Sequence, residues 1–294
     1  MRRSVAAITI AVAVALSGGA GLTAVSSVAS EQSVRPPSGG LDQHRKFLDH
    51  QGLVLRTELV YLIFWGKAWT QPDTKTPTAE QVTNATRTML ASSYMAGLTE
   101  YRGIGRGQVR GSTVVSTSEP PSGFSDDEVR QFVRDQLSAG TIPGQDAENQ
   151  TLYAVVMPPG VKPDYAAWEG EHNTDGDDGH GIHYAWFANH GSLDRLTAIM
   201  SHEIVEAATD PEGSGFLGVP GTCSQEGWCE IADICGLTDV VDGVTVGSFW
   251  SDVAGECVVP TASEPSRSYL AAHSGQMRSP QRGGFPTVLR SGSY

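Results

Sequence analysis

Positive charge is scarce in this chain. Only 20 Lys and Arg stand against 33 Asp and Glu, a formal net charge of −13. That balance disfavours nucleic acid and anionic surfaces, so no nucleic-acid partner is expected. Long apolar runs are also lacking. The one candidate, Val5 to Leu16, is too short to span a bilayer as a helix. Arg2 and Arg3 precede it, small residues follow, and Val28-Ala29-Ser30 fits a cleavage site. This pattern predicts a signal peptide over 1–30, a secreted extracellular protein, and no membrane attachment once it is removed. There is no G-x-S-x-G elbow, no phosphate loop and no internal repeat. Acids are plentiful enough for glycoside hydrolysis, but nothing marks a specific pair.

Cysteine is absent until Cys223 and then comes four times: Cys223, Cys229, Cys235 and Cys257. An even count in an exported chain reads as two disulfides, for which sequence allows three pairings. Cys223–Cys229 with Cys235–Cys257 is favoured, because both loops close without crossing. A zinc site of four thiolates is the rival, although the spacings are not the usual C-x₂₋₄-C pairs.

Apolar patterning gives the architecture. After a flexible leader (31–40), Val54 to Gly66 reads as a buried strand. Thr78-Ala79-Glu80-Gln81 is a capping box that opens a helix to about Gly97. Ser112 to Ser116 reads as a strand, and Ser125-Asp126-Asp127-Glu128 opens a second helix that stops near Gly140. Thr151–Met157 and Ile182–Ala188 are further strands, with a polar loop at 170–181 between them. Ser192 caps a helix to about Thr209. The order β-α-β-α-β-β-α indicates an α/β fold with a mixed sheet and flanking helices. A single domain over 41–260, zincin-like in architecture, would carry a disulfide-stapled C-terminal segment. Residues 261–294 read as a disordered tail.

The last helix holds the most informative stretch, HEIVEAATDP, from His202 to Pro211. His202, Glu206 and Asp210 recur every four residues and share one stripe of the helix. His202 and Glu206 can therefore grip one metal ion. Glu203 stands where the general base stands in the HExxH helix of zinc peptidases, with Glu206 in the place of the second histidine. The alternative is a solvated face whose acids meet only water. A third ligand is expected from Asp210, Glu230 or Asp233, the last two in the EIAD segment between Cys229 and Cys235. Zn²⁺ is the ion expected from the peptidase-like helix, although such a carboxylate-rich set is harder than a typical zinc site and would also accept Ca²⁺ or Mn²⁺. In the loop from Glu171 to His183, Asp175-Gly176-Asp177-Asp178-Gly179 faintly resembles a calcium loop but lacks the closing Glu. His172 and His180 lie in that loop with no assigned role, and His183 reads as a hydrogen-bonded structural residue.

Two segments, LVYLIFWGKAW (Leu59 to Trp69) and GHGIHYAWFANH (Gly179 to His190), resemble the EXORDIUM or phosphate-induced family. These are secreted, cell-wall-associated plant proteins with microbial relatives. TDPEGSGF (Thr209 to Phe216) is similar to the TNPFGNGY stretch of the plant members. The resemblance covers roughly residues 40–260 and implies secretion and a shared fold. The plant members act in growth signalling at the wall and lack the HE-x-x-E feature. HEIVEAATDP with EIADIC looks more like the bacterial and fungal branch, which resembles zinc peptidases. The expectation is a secreted metal-dependent hydrolase, a zinc metallopeptidase-like protein acting on a peptide or cell-wall substrate. Its alternative is a non-catalytic wall- or matrix-associated protein with a structural metal or none.

Overall fold

The computed structural model describes residues 46–71, 76–165, 168–176, 181–223 and 229–261. The expected signal peptide and leader, Asp177, Asp178 and His180, and the expected tail beyond 261 lie outside them.

Strand β1 (Phe47–Asp49) leads to β2 (Leu59–Trp65), whose apolar run is buried on both faces, as a strand inside a parallel sheet requires. The expected capping box opens α1 (Ala79–Ala91): Thr78 accepts from the Gln81 amide and Gln81 accepts from the Thr78 amide. Sequence patterning carries this helix to about Gly97, yet it breaks at Ser92. The Ser92 hydroxyl donates to the Met89 carbonyl and accepts from the Tyr94 amide, starting a separate turn, α2 (Ser93–Ala96). Then come β3 (Gln108–Val115), β4 (Gly123–Phe124) and α3 (Asp126–Ser138), the last opened by the Ser125–Glu128 box. They are followed by β5 (Thr151–Val156), β6 (Lys162–Pro163), β7 (Gly170–Asp175), β8 (Ile182–Phe187) and α4 (Leu193–Thr209). The end of the chain adds β9 (Phe216–Gly218), which pairs with β1. Two antiparallel pairs follow it: β10 (Thr238–Val241) with β11 (Val244–Gly247), and β12 (Phe249–Ser251) with β13 (Glu256–Val258).

The main sheet runs β3-β2-β5-β8-β7. Its first four strands are mutually parallel and β7 is antiparallel to β8, so the sheet is mixed. β7 corrects the polar-loop reading of 170–181. Its sequence, GEHNTD, has low strand propensity, and pairing to the buried β8 overrides that preference.

Side-chain alternation divides the core in two. Val60, Leu62 and Phe64 of β2 join the cluster that includes α1, α4 and the C-terminal strands. Tyr61, Ile63 and Trp65 point the other way, towards α3, where Trp65 stacks on Phe132. The same alternation orients β7. His172 lies opposite Ala185 on the α4 face, and Glu171 lies opposite Trp186 on the α3 face. A one-residue slip would exchange them.

Both disulfides form in the favoured pairing, Cys223–Cys229 and Cys235–Cys257, which removes the four-thiolate zinc alternative. No helix among the described residues is long and apolar enough to cross a membrane.

Candidate metal centre

Helix α4 lies between the sheet and the C-terminal strands, packed against β7, β8, β11 and α1. Every residue from Leu196 to Thr209 is buried. This overturns the solvated-face alternative. His202 and Glu203 are 3% exposed, and Glu206 and Asp210 are 0% exposed. Four ionisable side chains on one helix are thus withdrawn from water, an expensive arrangement unless they are paired or ligating.

Their partners come from β7 and from the segment between the disulfides. Glu206 Oε2 lies 3.2 Å from His202 Nε2, one helical turn away, while its Oε1 accepts from the Ala232 amide at 3.3 Å. Asp233 Oδ1 is 3.8 Å from the same His202 nitrogen, and its Oδ2 accepts from the Glu230 amide. His172, from β7, spans two carboxylates: its Nδ1 is 3.3 Å from Glu203 Oε2 and its Nε2 is 3.2 Å from Glu230 Oε1. Gly170 permits this approach. A Cβ there would meet Glu203 Cγ and Ile199 Cγ2 at 2.9 Å.

Of the residues singled out by sequence, His202, Glu206 and Asp233 converge, with one ligand atom from each within 4.8 Å of the others. Glu230 faces His172 instead. Asp210, a candidate third ligand from its place on the same helical stripe, does not turn back towards His202. Its Oδ1 accepts from the Ser214 and Gly215 amides at 2.6 Å each, so it shapes the loop after α4 and stands outside the cluster's ligand sets. His183 is held by Thr174 and Asn149 through its two ring nitrogens, the structural arrangement expected of it.

Two residues carried no sequence signal. His172 sits on a polar strand with no apolar alternation to reveal its facing. Glu58 is wholly buried with neither carboxylate oxygen hydrogen-bonded, and burial raises its pKa well above the ordinary value. A Glu just before an apolar run gives no hint of such burial.

The electrostatics reflect crowding. Burial pulls the His202 imidazole down, but Glu206, Glu203 and Asp233 outweigh it and push the ring up to about 10. His172 is likewise held high by Glu230 and Glu203 against desolvation. Burial raises Glu206 strongly and lifts Asp210 and Asp233 to about 7. A divalent cation would reverse this by favouring neutral imidazoles and ionised carboxylates. The residues fit such an ion on one direct observation: His202 Nε2 and Glu206 Oε2 are buried and face each other without a hydrogen bond to either. One nitrogen with two carboxylates suits zinc or manganese.

A cleft of about 780 Å³ reaches the His172 and Glu230 edge of the cluster, and His202, Glu203, Glu206 and Asp233 do not line it. His172, Glu230 and Asp210 form part of its wall, together with Arg56, Arg102 and Asn173. No protein-family model, no curated protein and no solved structure matches this chain, which leaves side-chain geometry as the ground for a functional reading.

Proposed function

We propose that this is a secreted metal-dependent hydrolase, zincin-like in architecture and zinc metallopeptidase-like in chemistry. The observation that carries the reading is the set His202, Glu206 and the half-buried Asp233, in which the facing ligand atoms of the buried His202 and Glu206 have no partner but each other. These three residues would hold the ion. An ion there supplies Lewis acidity, making a water easier to deprotonate and polarising the attacked carbonyl. The chain's own share is proton handling and orientation. Glu203, next in sequence to His202, accepts the water's proton. His172 holds the Glu203 carboxylate in place at 3.3 Å. The cleft beside His172 admits an extended peptide or wall polymer.

The test uses the purified full chain, dialysed without chelator, with bound metals measured by elemental analysis. Near-stoichiometric zinc that disappears in His202→Ala supports the reading. Glu203→Gln should keep the metal and lose hydrolysis of a general protein substrate. Absence of metal above background overturns the reading.

The abundance of carboxylates favours one alternative. Two anionic ligands neutralise a Zn²⁺ ion and blunt its effect on water, whereas such ligands suit Ca²⁺. Stoichiometric calcium with no hydrolysis would identify a structural metal in a wall- or matrix-associated protein of the EXORDIUM type.

A further inference from the structure

The cluster contains a second set of donors. His172, Glu203 and Glu206 each offer a ligand atom, again within 4.8 Å of one another. Glu206 belongs to both sets. A carboxylate has two oxygens with about four lone-pair sites. Glu206 Oε2 has no hydrogen bond, and Oε1 takes only the long contact from the Ala232 amide. One such group can bridge two cations, which in two-metal sites stand about 3.5–4 Å apart. The local charge allows it. Glu203, Glu206, Asp210, Glu230 and Asp233 crowd around two imidazoles, so a single divalent ion leaves the carboxylates in excess.

The two sets differ in readiness. Ligation at His202 and Glu206 displaces only their mutual 3.2 Å contact and the ring proton, because neither facing atom has another partner. His172 is engaged at both ring nitrogens, by Glu203 and by Glu230. A cation binding there must break one of these contacts and tolerate repulsion from the first ion. The second set therefore fills later. It also lies on the open side, since His172 forms part of the cleft wall.

We propose that His172, Glu203 and the shared Glu206 form a second, weaker divalent-cation site, and that filling it takes Glu203 out of proton transfer, so excess metal inhibits the protein. This rests on Glu203 being the base in the reading above. It adds a means of regulation by metal concentration.

The experiment strips the full chain with chelator and titrates it with Zn²⁺ alone. Calorimetry and native mass spectrometry count the ions, and hydrolysis is followed in parallel. Two ions per chain are expected, the second bound at least about tenfold more weakly. Hydrolysis should rise as the first ion binds and be mostly lost as the second does. His172→Ala should bind one ion and show no inhibitory limb. His172→Gln serves if the alanine variant does not fold, because it keeps a polar side chain against Glu203. Saturation at one ion overturns the second site while leaving the one-ion hydrolase intact. Two ions with no fall in hydrolysis overturn the inhibition. No bound ion overturns both.

Discussion

On the α3 face of the sheet, Asp126 accepts from the Tyr184 hydroxyl at 2.7 Å and Glu171 accepts from the Trp186 indole at 3.2 Å. On the α4 face, Glu206 and His202 confront each other at 3.2 Å without a hydrogen bond, and Asp233 stands behind them. The α3-face carboxylates are half-buried and Glu206 on the α4 face is fully buried, and their partners differ. The Tyr184 O–H and Trp186 N–H donors favour the ionised acids, but burial outweighs them and pushes Glu171 up to about 8. Ligand atoms aimed at one another suit an ion placed between them. Burial alone therefore does not mark a site. Asp126 Oδ1 on the α3 face also has no hydrogen bond, but no imidazole faces it; what distinguishes the α4 face is that a buried ring nitrogen and a buried carboxylate oxygen face each other at 3.2 Å.

Chelation breaks this comparison most directly. Removing a tightly held ion should cost about 4 kcal/mol at a thousandfold excess over the dissociation constant, or on the order of 10 °C in melting temperature. Scanning fluorimetry with and without EDTA measures it, and identical melting curves would place the two faces in one class. Next in size is the staple behind the cluster. Cys235→Ala with Cys257→Ala should cost about 2–4 kcal/mol in urea unfolding. It should also weaken metal binding, because Asp233 lies two residues before Cys235. Gly170→Ala should cost about 1–3 kcal/mol through the 2.9 Å clash with Glu203 Cγ and Ile199 Cγ2. It should disturb metal binding more than the equally conservative Gly144→Ala, where a Cβ meets nothing.

The smallest effect sharpens the contrast through pH. Glu171 has its folded pKa near 8, above its ordinary value of 4.5. The folded state then binds the extra proton between those values. Its stabilising contribution is complete below about pH 4.5 and is lost as pH rises towards 8. Glu171→Gln should flatten that slope and leave the variant the more stable at pH 8, by on the order of 1 kcal/mol. Metal affinity at the α4 face should instead rise over the same range as its ligands lose protons. Parallel denaturation and metal-binding curves from pH 5 to 8 would show the two trends diverging.

Much of the fold was legible because its strong elements are locally encoded. LVYLIFW, TLYAVV and IHYAWF are apolar runs that only a buried strand accommodates. Thr78–Gln81 and Ser125–Glu128 announce helix starts through reciprocal side-chain bonds that need no tertiary context. β7 was not legible, since GEHNTD becomes a strand only by pairing with β8. The site divides along the same line. His202, Glu203 and Glu206 share a helix whose period brings them together, and the flanking cysteines drew attention to Glu230 and Asp233. His172 arrives from β7, so the cluster's second histidine was hidden with the strand that carries it. Asp210 shows the limit of helical spacing as a guide: the right interval placed it at the helix end, where two loop amides claim its carboxylate.

The unbroken burial of α4 also has a kinetic consequence. A helix enclosed from Leu196 to Thr209 cannot open on its own, so the amides of His202 to Glu206 should exchange with deuterium only when the whole domain unfolds. Strand β7, an edge strand with mostly half-buried residues, has a lower barrier to opening. An ion entering or leaving the cluster would then pass by way of β7 and His172. Its residence time would be set by how often that edge breathes, while the helix that would offer it His202 and Glu206 stays still.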